Sequence, residues 1–143
     1  MSIRQLSIFL ENKSGRLAEI TQVLAGAGID IRALCIADTS DYGILRMIVN
    51  NPDKAVEVLK ADGITLSLTE VIGVVLDDKP GGLNTVMQAL YSGKVDTEYM
   101  YAFLNPQTGK AALMLRVADT AVTADMLKLA GFTLLNESDI LAM

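Results

Sequence analysis

The sequence contains two copies of one unit, and this repeat restricts the fold more than any other feature does. Residues 8–17 read IFLENKSGRL and residues 74–83 read VVLDDKPGGL, with Gly15 aligned to Gly81 at an offset of 66 residues. The copies share a leucine, an acidic residue, a lysine, a glycine and a second leucine in the same order. A repeat of about 70 residues predicts two structurally equivalent domains.

The spacing of the repeat changes once along the chain. Gly43 aligns with Gly109 at the first offset, whereas Gly63 aligns with Gly131 at an offset of 68 residues. We therefore predict that the second copy carries two extra residues after Gly109. The predicted domains span residues 1–70 and 71–143.

Each copy predicts the order strand, helix, strand, strand, helix, strand. In the first copy, alternating apolar residues mark a strand at 3–10, and an apolar stripe at helical spacing marks a helix at 17–27. Asn51 followed by Pro52 predicts the start of the second helix, because asparagine caps helices and proline suits their first position. The remaining predicted strands of this copy are residues 29–37, 44–49 and 64–69.

This order of elements predicts the fold class. It closes as a four-stranded antiparallel sheet with two helices on one face, which is the ferredoxin-like arrangement of the α+β class. We therefore predict two ferredoxin-like βαββαβ domains. Residues of the hydrophobic set make up 51% of the chain, which predicts that a partner surface covers the second face of the sheets.

Composition excludes several classes of function. The chain has no histidine, and Cys35 is its one cysteine, which excludes histidine-based catalysis, CxxC redox pairs and intrachain disulfides. A net charge of −5 without a cluster of basic residues argues against binding to nucleic acid. The longest apolar run, residues 71–76, is much shorter than the roughly 20 residues of a membrane span. Together with the lone thiol, this predicts a cytoplasmic protein that binds neither nucleic acid nor membranes.

The repeated loop before the first helix of each copy is the main candidate for a binding site. It comprises residues 12–17 in the first copy and 78–83 in the second. A helix that begins there presents unpaired N–H groups, and glycine lets a ligand approach the backbone closely. The structural alternative is that Asn12 and Asp78 start a turn or cap the helices that follow.

Together with the start of the second strand, this loop resembles the ACT domain. The shared pattern is [Asp/Asn]-x-[Pro/Ser]-Gly-x-Leu, a helix, and then Gly-[Ile/Val]-Asp-[Ile/Thr]. The first copy supplies Asn12-Lys13-Ser14-Gly15-Arg16-Leu17 with Gly28-Ile29-Asp30-Ile31, and the second supplies Asp78-Lys79-Pro80-Gly81-Gly82-Leu83 with Val95-Asp96-Thr97. The resemblance covers nearly the whole chain, as two ACT domains with no enzyme attached.

The ACT resemblance implies a regulatory module that binds a small ligand, most often an amino acid, where ACT domains pair side by side. It implies no catalytic residue, no metal and no cofactor. The residues that it carries over as ligand-binding are Leu10, Asn12, Lys13, Ser14, Gly15, Arg16, Leu17, Asp30 and Ile31 in the first copy, and Leu76, Asp78, Lys79, Pro80, Gly81, Gly82, Leu83, Asp96 and Thr97 in the second.

The two copies depart from the family pattern at different positions. Ser14 stands where the family has proline, and Lys94 stands where it has glycine. Asp30 and Asp96 stand where family members often have asparagine. An aspartate there suits the ammonium group of an amino acid, although a different ligand or a cation site are open alternatives. We therefore expect two sites that are not equivalent.

These observations predict a non-catalytic sensor that binds an amino acid and forms a homodimer. Binding would bias the interface between ACT domains and so report to a partner, such as an enzyme of amino-acid metabolism. Three alternatives stay open. They are an assembly scaffold with vestigial ligand sites, a small enzyme on the ferredoxin-like fold, and an RNA-binding module, which the net charge of −5 disfavours.

Other side chains have both structural and functional interpretations. Alternation places Tyr99, Tyr101 and Phe103 on one face of a strand and Met100 on the other, where the aromatic stripe either packs or lines a pocket. Arg32 lies in a strand and is predicted to pair with an acid across the sheet.

Two charged features flank the repeated loops. The acidic pair Asp77 and Asp78 suggests acid–base chemistry or a divalent cation, but it fits a capped loop better. Lys13 and Lys79 either attract an anion or are solvated.

Overall fold

The computed structural model describes residues 2–11, 14–38, 42–105 and 108–143 of the chain. Its strands are β1 (Ile3–Glu11), β2 (Ile31–Asp38), β3 (Tyr42–Val49), β4 (Leu66–Asp77), β5 (Thr97–Asn105), β6 (Lys110–Val117) and β7 (Leu134–Leu135). Its helices are α1 (Arg16–Gly26), α2 (Pro52–Ala61), α3 (Gly82–Ser92), α4 (Thr120–Leu129) and α5 (Glu137–Ala142). None of these helices is long and apolar enough to cross a bilayer.

Compactness divides the described elements into two units. The N-terminal unit is Arg4–Thr69, and the C-terminal unit is Glu70–Met143 together with the start of the chain up to Ile3. The division lies next to the predicted boundary between residues 70 and 71. That the two units are independent domains stays a prediction.

The N-terminal unit is a sheet in the order β4-β1-β3-β2, in which the first part of β4 takes part. β1 pairs antiparallel with β3, and β3 pairs antiparallel with β2. Helices α1 and α2 pack on one face, because their apolar stripes and the inward residues of the strands form one core. The fully buried members of this core include Ile8, Ile20, Leu24, Leu45 and Leu59.

The C-terminal unit repeats this order as β7-β4-β6-β5, with antiparallel pairing throughout. Val86 and Leu90 of α3 and Leu127 of α4 pack onto the strands in a second core. The predicted fold class of two ferredoxin-like βαββαβ units is therefore confirmed. The sequence did not predict α5, which begins with a reciprocal cap between Asn136 and Asp139.

The predicted start of α2 is confirmed. The second copy has an equivalent side-chain cap at the start of α4. The Asn51 side chain accepts a hydrogen bond from the Lys54 backbone N–H at 3.1 Å. Asp119 does the same for the Val122 N–H at the start of α4, at 3.0 Å. Each cap satisfies one of the N–H groups that a helix start leaves without a partner.

The strands predicted at 64–69 and 71–76 form the single strand β4. Gly73 lies within it. A Cβ at Gly73 would come within 2.7 Å of Ile3 Cδ1 and within 3.1 Å of Leu135 Cβ. The glycine therefore leaves room for side chains that pack across this strand.

The predicted position of the two extra residues is wrong. Leu10 pairs with Gly43, and its equivalent Leu76 pairs with Ala111. Gly43 therefore corresponds to Ala111, not to Gly109. The extra residues precede Ala111, in the turn that leads into β6. The alignment was misled because both copies have a glycine near this turn, Gly43 and Gly109. The sequence does not show which residues pair between two strands.

Polar side chains of β1 and β4 form a hydrogen-bonded chain in the N-terminal unit. Gln5 is fully buried, and its Nε2 donates a hydrogen bond to Ser7 Oγ at 3.0 Å. Ser7 Oγ lies 2.8 Å from Thr69 Oγ1. These bonds satisfy polar atoms that would otherwise be costly to bury.

Candidate ligand-binding site

The loop between β4 and α3, residues 77–83, is termed the motif loop. The Asp78 backbone N–H donates to the Gly109 carbonyl at 3.0 Å, which fixes the loop to the neighbouring hairpin. Helix α3 begins after Gly81, and no side chain caps it with a hydrogen bond. The interpretation of Asp78 as a helix cap is therefore wrong, and its carboxylate is not used at the helix start.

The two glycines of the motif loop have different physical roles. Gly81 has φ of 87°, in the left-handed region, where a side chain costs about 1–2 kcal/mol. A Cβ on Gly82 would lie 2.1 Å from the Asp77 carbonyl oxygen. Gly82 thus allows the loop to fold back on the Asp77 backbone. Arg16 stands at the equivalent position of the first copy, so the first loop has no such close approach.

Asp77 binds two lysines at the start of the motif loop. Lys110 faces Asp77 in the β4–β6 ladder and donates a hydrogen bond to its carboxylate. Lys79 Nζ lies 3.7 Å from the other carboxylate oxygen. The hydrogen bond from Lys110 and its charge lower the pKa of Asp77 below the ordinary value. The carboxylate is therefore ionised and paired, unlike a general acid, which must hold its proton near neutral pH.

The described residues contain no group of three or more acidic, cysteine or histidine side chains that could hold a metal ion. Among these residues, Asp77 and Asp78 therefore have no third such ligand with which to coordinate a cation.

A cavity of about 330 Å³ lies beside the motif loop and is termed the loop cavity. It brings together four of the predicted site residues, namely Leu76, Asp78, Lys79 and Leu83. Asp78 and Lys79 are exposed at its rim. Asp78 forms no ion pair with any residue in the described part of the chain, so it is open to a charged ligand.

The opposite wall of the loop cavity belongs to β5, and sequence reasoning missed it. Met100, Ala102 and Leu104 line this wall. Met100 pairs with Leu115 and Ala102 with Leu113. Both leucines belong to the core beneath α3, so the β5 residues share the helix-covered face of the sheet.

The aromatic stripe of β5 takes the other face of the sheet. Tyr99, Tyr101 and Phe103 are half-buried, whereas Met100 and Ala102 are exposed, so the predicted alternation is confirmed. Tyr101 also borders the loop cavity. β5 reads TEYMYAFLN and has apolar side chains on both faces. Alternation alone therefore did not show which face meets the motif loop.

A second, more polar cavity of about 260 Å³ lies along the motif loop. Asp77, Lys79, Gly82, Thr85 and Lys110 contribute to its lining. It includes Asp77 with both of its lysines, whereas the loop cavity, which Asp77 and Lys79 also border, adds the apolar side chains of Leu83 and β5.

Asp96 and Thr97 lie away from the motif loop within their own copy. They line a shallow cavity of about 500 Å³ with Tyr91 and Lys94, beyond the C-terminal end of α3. The motif loop lies at the N-terminal end of α3, whose 11 residues span about 16 Å at 1.5 Å per residue. The structure therefore does not bring these two groups of predicted site residues together within one copy.

Lys94 keeps the backbone geometry of the glycine that the family pattern has there. Its φ is 56°, and Gly28 at the equivalent position of the first copy has φ of 73°. The departure from the pattern thus changes the side chain and leaves the local backbone in the left-handed region.

The first copy has the same loop framework with different side chains. Gly15 has φ of 81° and precedes α1 without a side-chain cap, and Arg16 pairs with Glu19 at 3.1 Å. Ser14 and Leu17 are exposed, while Leu10 is buried in the core. Asn12 and Lys13, which were predicted to bind ligand, lie outside the described residues.

Asp30 is occupied by contacts within the first copy. Its backbone N–H donates to Asn50 Oδ1 at 2.9 Å, and its carboxylate lies 3.4 Å from Arg32 Nη1. Arg32 therefore contacts an acid two residues before it, and its pairing across the sheet stays a prediction. Ile31, the next predicted site residue, begins β2.

The fold and the loops define the class of protein. Two ferredoxin-like units follow one another, and each has a glycine that precedes its first helix without a side-chain cap. The family model of the ACT domain pair matches residues 1–143. The chain belongs to the family of ACT domain pairs.

Solved structures have the same fold. Protein BT0572 from Bacteroides thetaiotaomicron is 44% identical, with a TM-score of 0.92 over 98% of this chain and 96% of that one. The ligand-free regulatory subunit of aspartate kinase from Thermus thermophilus is 16% identical, with a TM-score of 0.63 over 91% and 94%. The corresponding subunit from Thermus flavus is 17% identical, with a TM-score of 0.60 over 87% and 88%. The two Thermus structures share the fold with this chain. No functionally curated protein matches it.

Proposed function

We propose that this protein is a non-catalytic regulatory protein that binds an amino acid at the motif loop of the second copy. The family of ACT domain pairs covers the whole chain, and the motif loop borders a cavity of the size of a small-molecule site. The observation that carries the proposal is that Asp78 does not cap α3 and is exposed on the rim of this cavity.

The charges at the rim match an amino acid. Asp78 offers a carboxylate to an ammonium group. Lys79, whose Nζ lies 3.7 Å from the Asp77 carboxylate, offers its remaining N–H donors to a ligand carboxylate. Asp77 does not compete for the ammonium group, because Lys110 already donates to it. Adjacent residues of opposite charge therefore face the two charges of a zwitterion.

Ligand binding at the motif loop would regulate a partner through an interface of the protein. A ligand shifts an equilibrium by its difference in affinity for two states, and an interface that includes the motif loop would have such states. A homodimer built on ACT domains would provide this interface, and an enzyme of amino-acid metabolism is the proposed partner. The lone thiol of Cys35 supports a place in the reducing cytoplasm.

Thermal unfolding of the purified protein against each of the twenty amino acids tests the proposal. A ligand at 100 times its dissociation constant adds about 2.7 kcal/mol, which raises the unfolding midpoint by roughly 5–10 °C for a chain of this size. Asp78→Asn should abolish most of the rise, whereas Asp125→Asn, an exposed acid on α4, should leave it unchanged. The absence of a rise with every amino acid would contradict the proposal.

An assembly role without a ligand is the second candidate. Phe9, Tyr42 and Ile44 are exposed on the face of the N-terminal sheet opposite the helices, and the rings of Phe9 and Tyr42 lie 5.1 Å apart. Exposed apolar clusters of this kind mark protein contacts. Light scattering decides whether the chain assembles: a homodimer is expected, and a monomer at high concentration would contradict both the dimer and the assembly role.

A further inference from the structure

The loop cavity has apolar walls beneath its charged rim. Leu83 of α3 and Met100 and Leu104 of β5 are 46%, 37% and 60% exposed, although each is a large apolar side chain. Leu113 of β6 and Ala102 of β5 continue the same wall. These residues line one concave space, so an occupant of this space would remove them from water together.

This wall follows from the sheet register. Met100, Ala102 and Leu104 lie on the helix-covered face, but β5 is the edge strand of its unit. Val86 and Leu90 of α3 share one buried core with residues of β4 and β6. The side chains of β5 nearest the start of α3 are consequently left exposed.

The first copy shows the same wall. Leu34 and Ile36, the equivalents of Met100 and Ala102, pair with Met47 and Leu45 in the register and are exposed as well. The second copy differs by its motif loop, where Asp78 and Lys79 stand at the rim of the apolar space.

We infer that the ligand of the loop cavity is an α-amino acid with an aliphatic side chain of about three or four carbons. This inference rests on the proposed function and specifies its ligand. The ammonium group pairs with Asp78, the carboxylate pairs with Lys79, and the side chain lies between Leu83 and the β5 wall. A volume of about 330 Å³ is at the lower end for ligand sites, which suits one small metabolite rather than a peptide.

The walls also exclude other amino acids. A charged or amide side chain would lose its hydration against Leu83, Met100 and Leu104 without gaining a partner there. Each additional methylene group of an aliphatic side chain would instead gain about fourfold in affinity.

Calorimetric titration of the full chain with alanine, 2-aminobutyrate, norvaline and norleucine tests the inference. The affinity should rise about fourfold at each step and about 60-fold over the series. Lysine, which has the same chain as norleucine plus an ammonium group, should bind at least 10-fold more weakly. N-acetylnorleucine should also bind weakly, since its amine no longer carries a charge for Asp78.

A cavity-filling variant tests the location. Ala102→Phe places a ring in the loop cavity at an exposed position and should weaken norleucine binding at least 10-fold. Ala121→Phe, at an exposed position on α4, is the matched control and should bind norleucine as the parent does. Both variants should keep the unfolding midpoint of the parent protein.

The outcomes separate this inference from the proposed function. Binding of lysine or threonine without dependence on aliphatic length would overturn the inference and leave the proposed function standing. Length-dependent binding that Ala102→Phe does not weaken would overturn the location. No binding of any amino acid in the thermal series would overturn the proposed function itself.

Discussion

Lys110 and Asp77 face each other across β6 and β4, and their ion pair holds the start of the motif loop. Because Lys110 lowers the pKa of Asp77, we expect Lys110→Gln to raise this pKa toward its ordinary value. NMR titration of the side-chain carboxyl carbon measures it. Lys79→Gln should have a smaller effect, because Lys79 Nζ lies 3.7 Å away. An unchanged pKa in Lys110→Gln would contradict this assignment.

The same pair predicts a dependence of stability on pH. A carboxylate with a lowered pKa in the folded state stabilises the fold above its unfolded pKa, and this contribution disappears as pH falls through the folded pKa. The parent should therefore be slightly more stable than Lys110→Gln at neutral pH, with the difference vanishing in acid. The difference is small because the pair is exposed and screened by solvent. Urea unfolding across pH measures it, and a difference that grows in acid would contradict the sign.

Gly82→Ala should destabilise the C-terminal unit more than Gly81→Ala does. The new Cβ of Gly82→Ala would meet the Asp77 carbonyl oxygen at 2.1 Å, so the backbone must shift, at a cost of about 2–3 kcal/mol. Gly81→Ala meets open space and carries the left-handed cost of about 1–2 kcal/mol. Gly26→Ala, which has open space and no positive φ, is the matched control and should be neutral or slightly stabilising. Chemical denaturation ranks the three, and equal effects of the first two would refute the close approach.

Lys94→Gly should stabilise the protein by up to about 1 kcal/mol. The left-handed backbone of Lys94, with φ of 56°, costs about 1–2 kcal/mol for a residue with a Cβ. Glycine relieves this cost but loses about 0.4–1 kcal/mol through the flexibility of the unfolded chain. Lys94→Ala keeps the Cβ and should change stability little. Destabilisation by the glycine variant in thermal unfolding would show that the lysine side chain contributes more than its backbone costs.

Ser7→Ala should destabilise the N-terminal unit by about 1–3 kcal/mol. Ser7 Oγ accepts from the buried Gln5 amide and bonds to Thr69, so its removal takes away both bonds and leaves a buried donor without this partner. Thr69→Val removes one of them and should cost less. Urea unfolding compares the variants, with Ser14→Ala at an exposed turn as control. A negligible effect of Ser7→Ala would mean that other contacts satisfy Gln5.

The repeat allowed most of the architecture to be predicted. Two copies of one pattern constrain each other, so the element order, the helix start at Asn51 and the glycine before α3 were all readable from the sequence. Such features depend on residues close together in the chain, where side-chain chemistry and backbone preference act directly.

The features that the sequence did not predict depend on contacts between residues far apart in the chain. The Asp77–Lys110 pair and the correspondence of Gly43 with Ala111 follow from strand register, which the sequence does not show. The β5 wall was missed because that strand is apolar on both faces. The restriction at Gly82 comes from the carbonyl of Asp77, and no sequence pattern distinguishes it from a turn glycine.

Amide chemical-shift mapping tests the central claim most directly. The labelled full chain is titrated with the amino acid that stabilises it most in thermal unfolding. The account predicts the largest shifts at Asp78–Leu83 of the motif loop and at Met100–Leu104 of β5, with loss of these shifts in Asp78→Asn. Shifts that centre on Asp96 and Thr97 and spare the motif loop would contradict the claim.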